Sequence, residues 1–397
     1  MPAAPTDAIL ATQIRKPKPD IAALFQRARS KSGRSSASLV WDIARLARGP
    51  GKLRPFDYLR YELFRPHMTH AERAAFVSPH ASSMLNRRLS PVSQENYAPL
   101  TVDKVLTGIV LAAAGFPVPE IRAVFSVDAN YGALSRLRSA EDIAAFLRDP
   151  GNLPVFGKPV NGSQSVGAAA FVARAPEGDA IVLGDGRVVA IEALAAEIAR
   201  HYGRGYLFEE RLRQTPEVVA LAGEAISSLR LVTLWLPGGP RALYAGVKLA
   251  APGAMVDALI GGDNVLALID IATGEMRRAM QSAEPARIEI THSHLNPDLP
   301  LIGVRLPHWA QAVAISTDAH RLFPGHGILG FDVAMTTRGA VITEVNTNPH
   351  HVLYQFCADR GMLNPEFSAL FAEAEADLAR RSENLRLRDA AFKATTR

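Results

Sequence analysis

Two carboxylates and a carboxamide occur in a pair of apolar segments late in the chain. Asp332 lies in the segment 328–336, and Glu344 and Asn346 lie in the segment 340–346. Apolar and β-branched residues dominate both segments, and a short loop containing glycine separates them, which predicts a β-hairpin. Oxygen atoms are the ligands that Mg²⁺ prefers, so this hairpin is a candidate metal site.

The register of the hairpin decides whether these oxygen atoms meet. A three-residue loop with glycine in the left-handed conformation would place Thr336 opposite Ala340. Counting outward puts Asp332 opposite Glu344, and the two-residue period of a strand puts Asn346 on the same face. Opposed carboxylates repel each other unless a cation lies between them. We therefore predict a magnesium site, with an ordinary polar sheet face as the alternative.

Two lysines lie next to elements that could bind phosphate. Lys158 lies near the end of a predicted strand, before a loop at 161–167 whose small residues would let backbone N–H groups approach phosphate oxygens. This loop is not a Walker A motif, because proline follows Lys158. An ordinary hairpin turn is the alternative. Lys104 lies near a predicted helix start, where by itself it would suggest a surface lysine.

Two further cations lie inside apolar segments. Arg230 is in a predicted strand at 229–236, and Lys248 is in its predicted hairpin partner at 242–250. An unpaired buried charge is strongly disfavoured, so each cation needs an anionic partner. A substrate carboxylate, a terminal phosphate and a structural salt bridge are all open at this point.

The elements that must position these residues mix strands and helices without strict alternation, so the fold class is α+β. Further strands are predicted at 153–160, 169–173 and 205–210, and helices at 101–114, with Thr101 as the cap, and at 308–323. Four regions follow: a mainly helical region 1–100, two mixed regions 101–208 and 209–365, and a C-terminal helix 366–397.

The composition bounds the class of protein. Of the 397 residues 48% are hydrophobic and 21% are charged, which is typical of a globular protein. A single cysteine excludes an intramolecular disulfide, and no signal peptide or membrane-length apolar segment is evident, so we expect a cytoplasmic protein without a membrane span. The net charge is +5, and basic residues are frequent in the first hundred. A solvated helical face explains them, with an acidic polymer or a membrane surface as alternative partners, and without a DNA-binding motif we expect no nucleic-acid partner.

Taken in chain order, these segments resemble the ATP-grasp superfamily and, within it, the sugar-transfer-associated ATP-grasp proteins. The resemblance runs from about residue 101 to residue 361. It rests on the following motifs: Asp103-Lys104 before Gly115-Phe116-Pro117-Val118-Pro119, Phe156-Gly157-Lys158-Pro159, Phe208-Glu209-Glu210-Arg211-Leu212, Ser228-Leu229-Arg230-Leu231-Val232-Thr233, Gly261-Gly262 with Asp270 and Thr273-Gly274, Gly330-Phe331-Asp332, and Glu344-Val345-Asn346-Thr347-Asn348-Pro349.

The resemblance implies an ATP-grasp fold, in which two α+β lobes sandwich the nucleotide after a mainly helical N-terminal region. Lys104 and Lys158 would contact the phosphates of ATP. Asp332, Glu344 and Asn346 would bind Mg²⁺, two ions in all.

The resemblance also assigns the remaining site residues. Arg230 and Lys248 would face the transferred phosphoryl group. The other cofactor-binding residues would come from the adenine-holding hinge and the Gly/Ser loop, namely Glu209, Glu210, Leu212, Ser163 and Gly167. The role of Asp257 is open, because Ala258 follows it where asparagine is expected.

The chemistry that the resemblance implies is phosphorylation of a carboxylate by ATP and attack of an amine on the acylphosphate. Metal ions and lysines neutralise the transferred phosphoryl group, and the lobes exclude water. We therefore predict an ADP-forming carboxylate–amine ligase, acting on unidentified substrates in the modification of polysaccharides or other cell-surface polymers, with sugar-linked acids among the candidates. A kinase acting on a hydroxyl and a non-catalytic nucleotide-binding adaptor are the alternatives.

Overall fold

The computed structural model describes residues 9–10, 19–91, 96–162, 165–257, 264–283 and 286–395. Across these ranges the chain forms two seven-stranded β-sheets with helices packed on their faces. The predicted α+β class is confirmed, while the division into four regions stays a prediction. None of the helices in the described ranges is long and apolar enough to cross a membrane.

The N-terminal part is mainly helical, as predicted. The helices described before the first strand are α1 (Ile21–Ser32), α2 (Ser36–Arg48), α3 (Pro55–Arg60), α4 (His70–Ala74), α5 (Pro79–Leu89), α6 (Ala98–Val102) and α7 (Lys104–Ala113). Thr101 does not cap the helix that carries Lys104, because it lies within α6. Asp103 is the cap, since its carboxylate accepts hydrogen bonds from two N–H groups of the first turn.

The first sheet contains β1 (Ile121–Phe125), β2 (Arg136–Leu137), β3 (Val155–Pro159), β4 (Ala169–Arg174), β5 (Ala180–Leu183), β6 (Val188–Ala190) and β7 (Tyr206–Glu210). The strand order is β2-β1-β7-β3-β4-β5-β6; β1 and β2 pair in parallel, and the other neighbours are antiparallel. Helices α8 (Ala140–Arg148) and α9 (Ile191–His201) bury apolar side chains against this sheet. The order places Lys158 on β3 next to the strand that carries Glu209.

The second sheet contains β8 (Leu229–Leu236), β9 (Gly239–Leu249), β10 (Val265–Ile269), β11 (Met276–Ala283), β12 (Ala286–Ile290), β13 (Ile328–Thr336) and β14 (Gly339–Asn346). Its antiparallel order is β12-β11-β10-β9-β8-β13-β14. Helices α10 (Pro216–Ala222) and α11 (Trp309–His320) pack on one face. The other face is covered by α1–α3, α5, α12 (Val352–Ala358) and α13 (Pro365–Thr395), so the N-terminal helices complete the core of this sheet.

Strands β13 and β14 form the predicted hairpin, but the prediction of a three-residue loop is wrong. Thr336 pairs with Gly339, which leaves a two-residue loop at 337–338. Gln311 of α11 holds this turn, because its Oε1 accepts a hydrogen bond from Ala340 N at 2.9 Å. Gly339 has a φ of +115°, which side-chain-bearing residues rarely adopt, and a Cβ there would also lie 2.7 Å from the same oxygen, so the turn favours glycine.

A β-bulge restores the predicted facing of the two carboxylates. With the observed turn, an unbroken register would place Asp332 opposite Thr343. The register shifts between Val333 and Asp332, and beyond the shift Asp332 pairs with Glu344. Thr343 is the extra residue of the bulge. The predicted pairing is confirmed, although a different turn leads to it.

Gly246 on β9 is a point of close packing between the second sheet and α12. A Cβ added there would lie 1.9 Å from Leu353 Cδ2 and 3.0 Å from Ala267 O. We predict that Gly246→Ala lowers the free energy of unfolding by about 2 kcal/mol, because overpacking displaces the buried Leu353. Urea unfolding followed by circular dichroism measures this change.

Gly203→Ala is the matched control for this substitution. No atom lies within 4 Å of a Cβ built at Gly203, so its unfolding midpoint should stay close to that of the unsubstituted protein. Equal midpoints for Gly246→Ala and Gly203→Ala would contradict the described packing of α12 on β9.

Candidate active site

A cavity of about 290 Å³ lies between the two sheets. The first sheet contributes Lys158 from β3 and Glu209 from β7. The second sheet contributes Lys248 from β9, Asp332 from β13 and Glu344 from β14. Side chains of opposite charge therefore converge on one cavity from strands that are far apart in the chain.

Asp332 is buried and is held by two cations. Its Oδ2 lies 3.1 Å from Nη2 of Arg230 and 3.3 Å from Nζ of Lys248, and Nε of Arg230 donates to its Oδ1. Asp332 pairs with Arg230 across β13 and β8, so strand register brings them together. Burial opposes ionisation, but the two cations outweigh it and keep the pKa of Asp332 well below its usual range. The sequence left the partner of Arg230 open, and in the structure that partner is Asp332.

A second carboxylate, Asp257, shares Lys248 with Asp332. Its Oδ2 lies 3.3 Å from Nζ of Lys248 and accepts a hydrogen bond from Ser228 N at 2.9 Å. Burial lowers the pKa of Lys248, but the two carboxylates outweigh this effect and raise it. The sequence left the role of Asp257 open. One feature of the sequence could have indicated this ion pair: Asp257 lies in the loop that follows the strand carrying the buried Lys248.

Lys158 connects the two sheets. Its Nζ lies 2.8 Å from Oε1 of Glu209 and donates to Thr343 O on β14 at 3.3 Å. Because Thr343 is the extra residue of the bulge, the irregular part of the hairpin supplies the carbonyl that receives the lysine. Burial raises the pKa of Glu209, although Lys158 opposes that effect. The resemblance placed Glu209 in the hinge, and it gave no indication of this ion pair.

Lys104 reaches the same cavity from the first turn of α7. Its Nζ donates to Gly162 O at 2.6 Å and lies 3.6 Å from Oε1 of Glu344. Its side chain is only 11% exposed, so it is not the surface lysine that its position alone suggests. Burial lowers the pKa of Lys104, and the charge of Glu344 opposes this effect.

The ion pairs that line the cavity or adjoin its lining residues form what we term the charged cluster. Its members are four cations, Lys104, Lys158, Arg230 and Lys248, and four carboxylates, Glu209, Asp257, Asp332 and Glu344. The formal charges of these eight groups cancel. A neutral cluster exerts little net field on an anion, so a polyanionic ligand would bind best together with cations.

The residues that the resemblance assigned to the adenine-holding hinge line the cavity. Glu210 and Leu212 are among its lining residues, and Glu210 also forms a salt bridge with Arg338 in the turn of the hairpin. The lining also includes apolar residues, among them Phe156, Ala222, Ile226, Met255 and Val256. The cavity is therefore lined by both charged and apolar side chains.

The Gly/Ser loop is described only in part. Gly167 has a φ of +75°, and a Cβ there would lie 2.3 Å from the hydroxyl of Tyr202, so the turn requires glycine. Its role toward phosphate stays a prediction. Ser163, Gly261 and Gly262 lie outside the described residues.

The donor set at the hairpin suits magnesium. Asp332 and Glu344 face each other and both line the cavity. Asn346 pairs with Gly330, and its Nδ2 is buried with no hydrogen-bond partner in the described part of the chain. The described residues contain no group of three or more His, Cys, Asp or Glu side chains arranged for a metal. Two carboxylates and an amide suit Mg²⁺, which fills its other positions with phosphate oxygens and water.

Solved structures that match the chain share little sequence with it. The D-alanine-D-alanine ligase from Coxiella burnetii is 15% identical, and the match covers 74% of this chain and 62% of that chain with a TM-score of 0.40. The ATP-grasp ligase PsnB, complexed with a minimal precursor, is 16% identical over 70% of this chain and 62% of that chain, with a TM-score of 0.36. The L-amino acid ligase from Bacillus licheniformis is 13% identical over 63% and 41% of the two chains, with a TM-score of 0.32. The chain therefore spans less than two thirds of the length of each.

The family comparison covers most of the chain. No curated protein sequence matches it. The model of the sugar-transfer associated ATP-grasp family matches residues 84–368, a range that contains all eight members of the charged cluster. The chain therefore belongs to the sugar-transfer associated ATP-grasp family and has the ATP-grasp fold that its motifs indicated.

Proposed function

We propose that this protein is an ATP-dependent ligase that activates a carboxylate as an acylphosphate and joins it to an amine, releasing ADP and phosphate. The observation that carries the proposal is the neutral charged cluster between the two sheets. Phosphoryl transfer depends on positioning and charge stabilisation and needs no side-chain nucleophile, which is what such a cluster can provide.

ATP is the nucleotide that the family implies, and a cavity lined by both charged and apolar side chains suits it. Lys104 and Lys158 would contact its phosphate oxygens. The apolar lining around Leu212, Met255 and Val256 would pack against adenine. Enclosure between the sheets would also keep water from hydrolysing an acylphosphate.

Asp332, Glu344 and Asn346 would hold Mg²⁺, and we propose two ions. When bound, such ions neutralise phosphate oxygens and polarise the transferred phosphoryl group. Two ions would also offset the roughly four negative charges that ATP carries at neutral pH.

Arg230 and Lys248 would stabilise the phosphoryl group during its transfer. Both are tied to Asp332, so their positions are fixed before substrates bind. Fixed cations stabilise developing negative charge without reorganising. In the proposed sequence a carboxylate oxygen attacks the γ-phosphorus and ADP leaves; the amine then attacks the acyl carbon, phosphate leaves, and the amine loses a proton.

The product mixture tests the reaction class. The family's association with sugar transfer makes uronic acids the first acids to test, against a panel of amino acids. We expect ADP and phosphate only when ATP, Mg²⁺, an acid and an amine are all present. Hydroxylamine should replace the amine and trap the acylphosphate as a hydroxamate, detected by mass spectrometry.

Two other outcomes would replace the ligase proposal. A stable phosphorylated acceptor that forms without any amine would establish a kinase. Tight ATP binding without turnover of any pair would favour a nucleotide-binding adaptor.

The metal assignment is tested most cleanly at Glu344, because within the described residues its ion pairing is limited to one contact of 3.6 Å with Lys104. We predict that Glu344→Gln weakens Mg²⁺-supported binding of a non-hydrolysable ATP analogue by about tenfold or more, since a carboxylate ligand is lost. Binding in EDTA should change little. Isothermal titration calorimetry with and without Mg²⁺ measures the difference.

Glu224→Gln is the control for Glu344→Gln, because Glu224 also lines the cavity but is exposed and lies outside the hairpin. It should leave the effect of Mg²⁺ intact. If Glu344→Gln and Glu224→Gln behave alike, Glu344 does not bind the metal.

The Lys158–Glu209 pair allows folding and nucleotide binding to be separated. We predict that Lys158→Met lowers the free energy of unfolding by about 3 kcal/mol, because it leaves Glu209 buried without its partner. The double substitution Lys158→Met/Glu209→Gln should recover most of this stability. ATP-analogue affinity should stay low in both variants, and its recovery in the double variant would argue against a phosphate contact by Lys158.

A further inference from the structure

Helix α5 contacts the hairpin at both of its ends. At the start of β13, Gly327 N donates to Leu89 O at 2.9 Å, and a Cβ on Gly327 would lie 2.3 Å from that oxygen. Beyond the end of β14, Asn86 Nδ2 donates to Asn348 Oδ1 at 2.8 Å and to Pro349 O at 3.0 Å. One short helix of the N-terminal region thus fixes the entrance and the exit of the strands that carry Asp332 and Glu344.

The contact at the exit continues into a buried chain of hydrogen bonds. Asn86 Oδ1 lies 3.0 Å from His351 Nε2, and His351 Nδ1 lies 2.7 Å from the hydroxyl of Tyr244 on β9. Asn86, His351 and Tyr244 are all buried. We term these three side chains the relay.

The direction of every hydrogen bond in the relay follows from one carbonyl. Pro349 O can only accept, so the atom of Asn86 that faces it is the amide nitrogen, and Asn86 Oδ1 must accept from His351 Nε2–H. His351 Nδ1 then accepts from the Tyr244 hydroxyl. Burial lowers the pKa of His351 to about 3 and raises the pKa of Tyr244, so both stay neutral at physiological pH. A single protonation pattern satisfies the whole relay.

Pro349 contacts both the relay and the strand next to the candidate metal site. A Cβ on Gly330 would lie 2.8 Å from Pro349 Cβ and 3.5 Å from Arg230 Cδ, so these two side chains cover Gly330 from the same side. Gly330 pairs with Asn346, and Arg230 holds Asp332. A shift of Pro349 would therefore disturb the surroundings of two proposed metal ligands.

We propose that Asn86 and His351 are positioning residues of the Mg²⁺–nucleotide site, and that α5 belongs to the active site as well as to the fold. This inference rests on the proposed function, because it assumes that Asp332, Glu344 and Asn346 bind the metal. Substitution of groups that hydrogen-bond to metal ligands typically lowers metal affinity by about 10- to 100-fold, and the relay acts one contact further out, through Pro349, so we expect an effect at the lower end of that range.

Removing the amide of Asn86 tests the proposal. We expect Asn86→Ala to weaken Mg²⁺-supported binding of a non-hydrolysable ATP analogue by about tenfold while leaving binding in EDTA unchanged. His351→Gln should retain more of the Mg²⁺ effect, because its amide can still donate to Asn86. Tyr244→Phe, which removes only the terminal hydroxyl, should weaken the effect by about twofold. Calorimetry gives the affinities, and melting temperatures give the stability of each variant.

Leu85→Ala is the matched structural control. Leu85 is buried in α5 one residue before Asn86 and packs in an apolar cluster of the second sheet. Its truncation should lower the melting temperature at least as much as Asn86→Ala but leave the Mg²⁺ effect intact. If Leu85→Ala loses the Mg²⁺ effect to the same extent as Asn86→Ala, the relay has only a structural role and the proposal is overturned.

The outcomes separate this inference from the proposed function. If the unsubstituted protein shows no Mg²⁺-dependent nucleotide binding, the proposed function fails, and the positioning role fails with it. If it shows that binding and Asn86→Ala retains it in full, the positioning role alone is overturned. Should Asn86→Ala not fold, Tyr244→Phe decides, and an unchanged Mg²⁺ effect in this milder variant would overturn the proposal.

Discussion

The buried carboxylate of Asp332 constrains the pairing of the strands of the second sheet that lie next to the cavity. A buried charge requires compensation, and Asp332 obtains it from Arg230 on β8 and Lys248 on β9. Removing one partner from such a group typically destabilises a protein by about 3–5 kcal/mol. A shift in the register of β8, β9 or β13 would therefore separate Asp332 from one of its cationic partners. Because Lys248 also binds Asp257, the same constraint extends to the loop after β9.

Two of the lysines at the cavity have partners that a ligand could replace. Lys158 and Lys104 each combine one carboxylate with one neutral backbone carbonyl, from Thr343 and Gly162 respectively. A neutral carbonyl binds an ammonium group less strongly than an anion does. Phosphate oxygens could therefore replace these carbonyls without leaving the lysines unpaired. At Lys158 the carbonyl that would be replaced belongs to the second sheet, so that contact between the sheets is compatible with exchange for a ligand.

The sequence was informative where local patterns dominate. The spacing of Asp332 and Glu344 predicted their facing, and runs of apolar residues located the strands that carry Arg230 and Lys248. The predicted length of the turn was wrong, because Gln311, which is distant in sequence, holds the shorter turn. The bulge at Thr343 compensates for the difference and restores the predicted pairing of Asp332 with Glu344. Other features depend on contacts between segments far apart in the chain, such as the ion pair of Lys158 with Glu209 on β7, and no periodicity reveals them. Charge type predicted which residues need partners, whereas the fold decided which partners they have.

The N-terminal helices have two distinct tasks in this fold. One face of the second sheet carries α10 and α11, and on the other face α1–α3 and α12 bury apolar side chains in one cluster with Leu266 and Met280. These helices therefore act through burial, which tolerates exchange of one apolar side chain for another of similar volume. Helix α5 also buries apolar residues, but it forms directional hydrogen bonds at the two ends of the hairpin as well, one through the backbone carbonyl of Leu89 and one through the side chain of Asn86. Substitution does not readily replace the hydrogen bond of the Asn86 side chain. The family match begins at residue 84, within α5, so the helix whose contacts are geometrically specific lies at the start of the family region and the covering helices precede it.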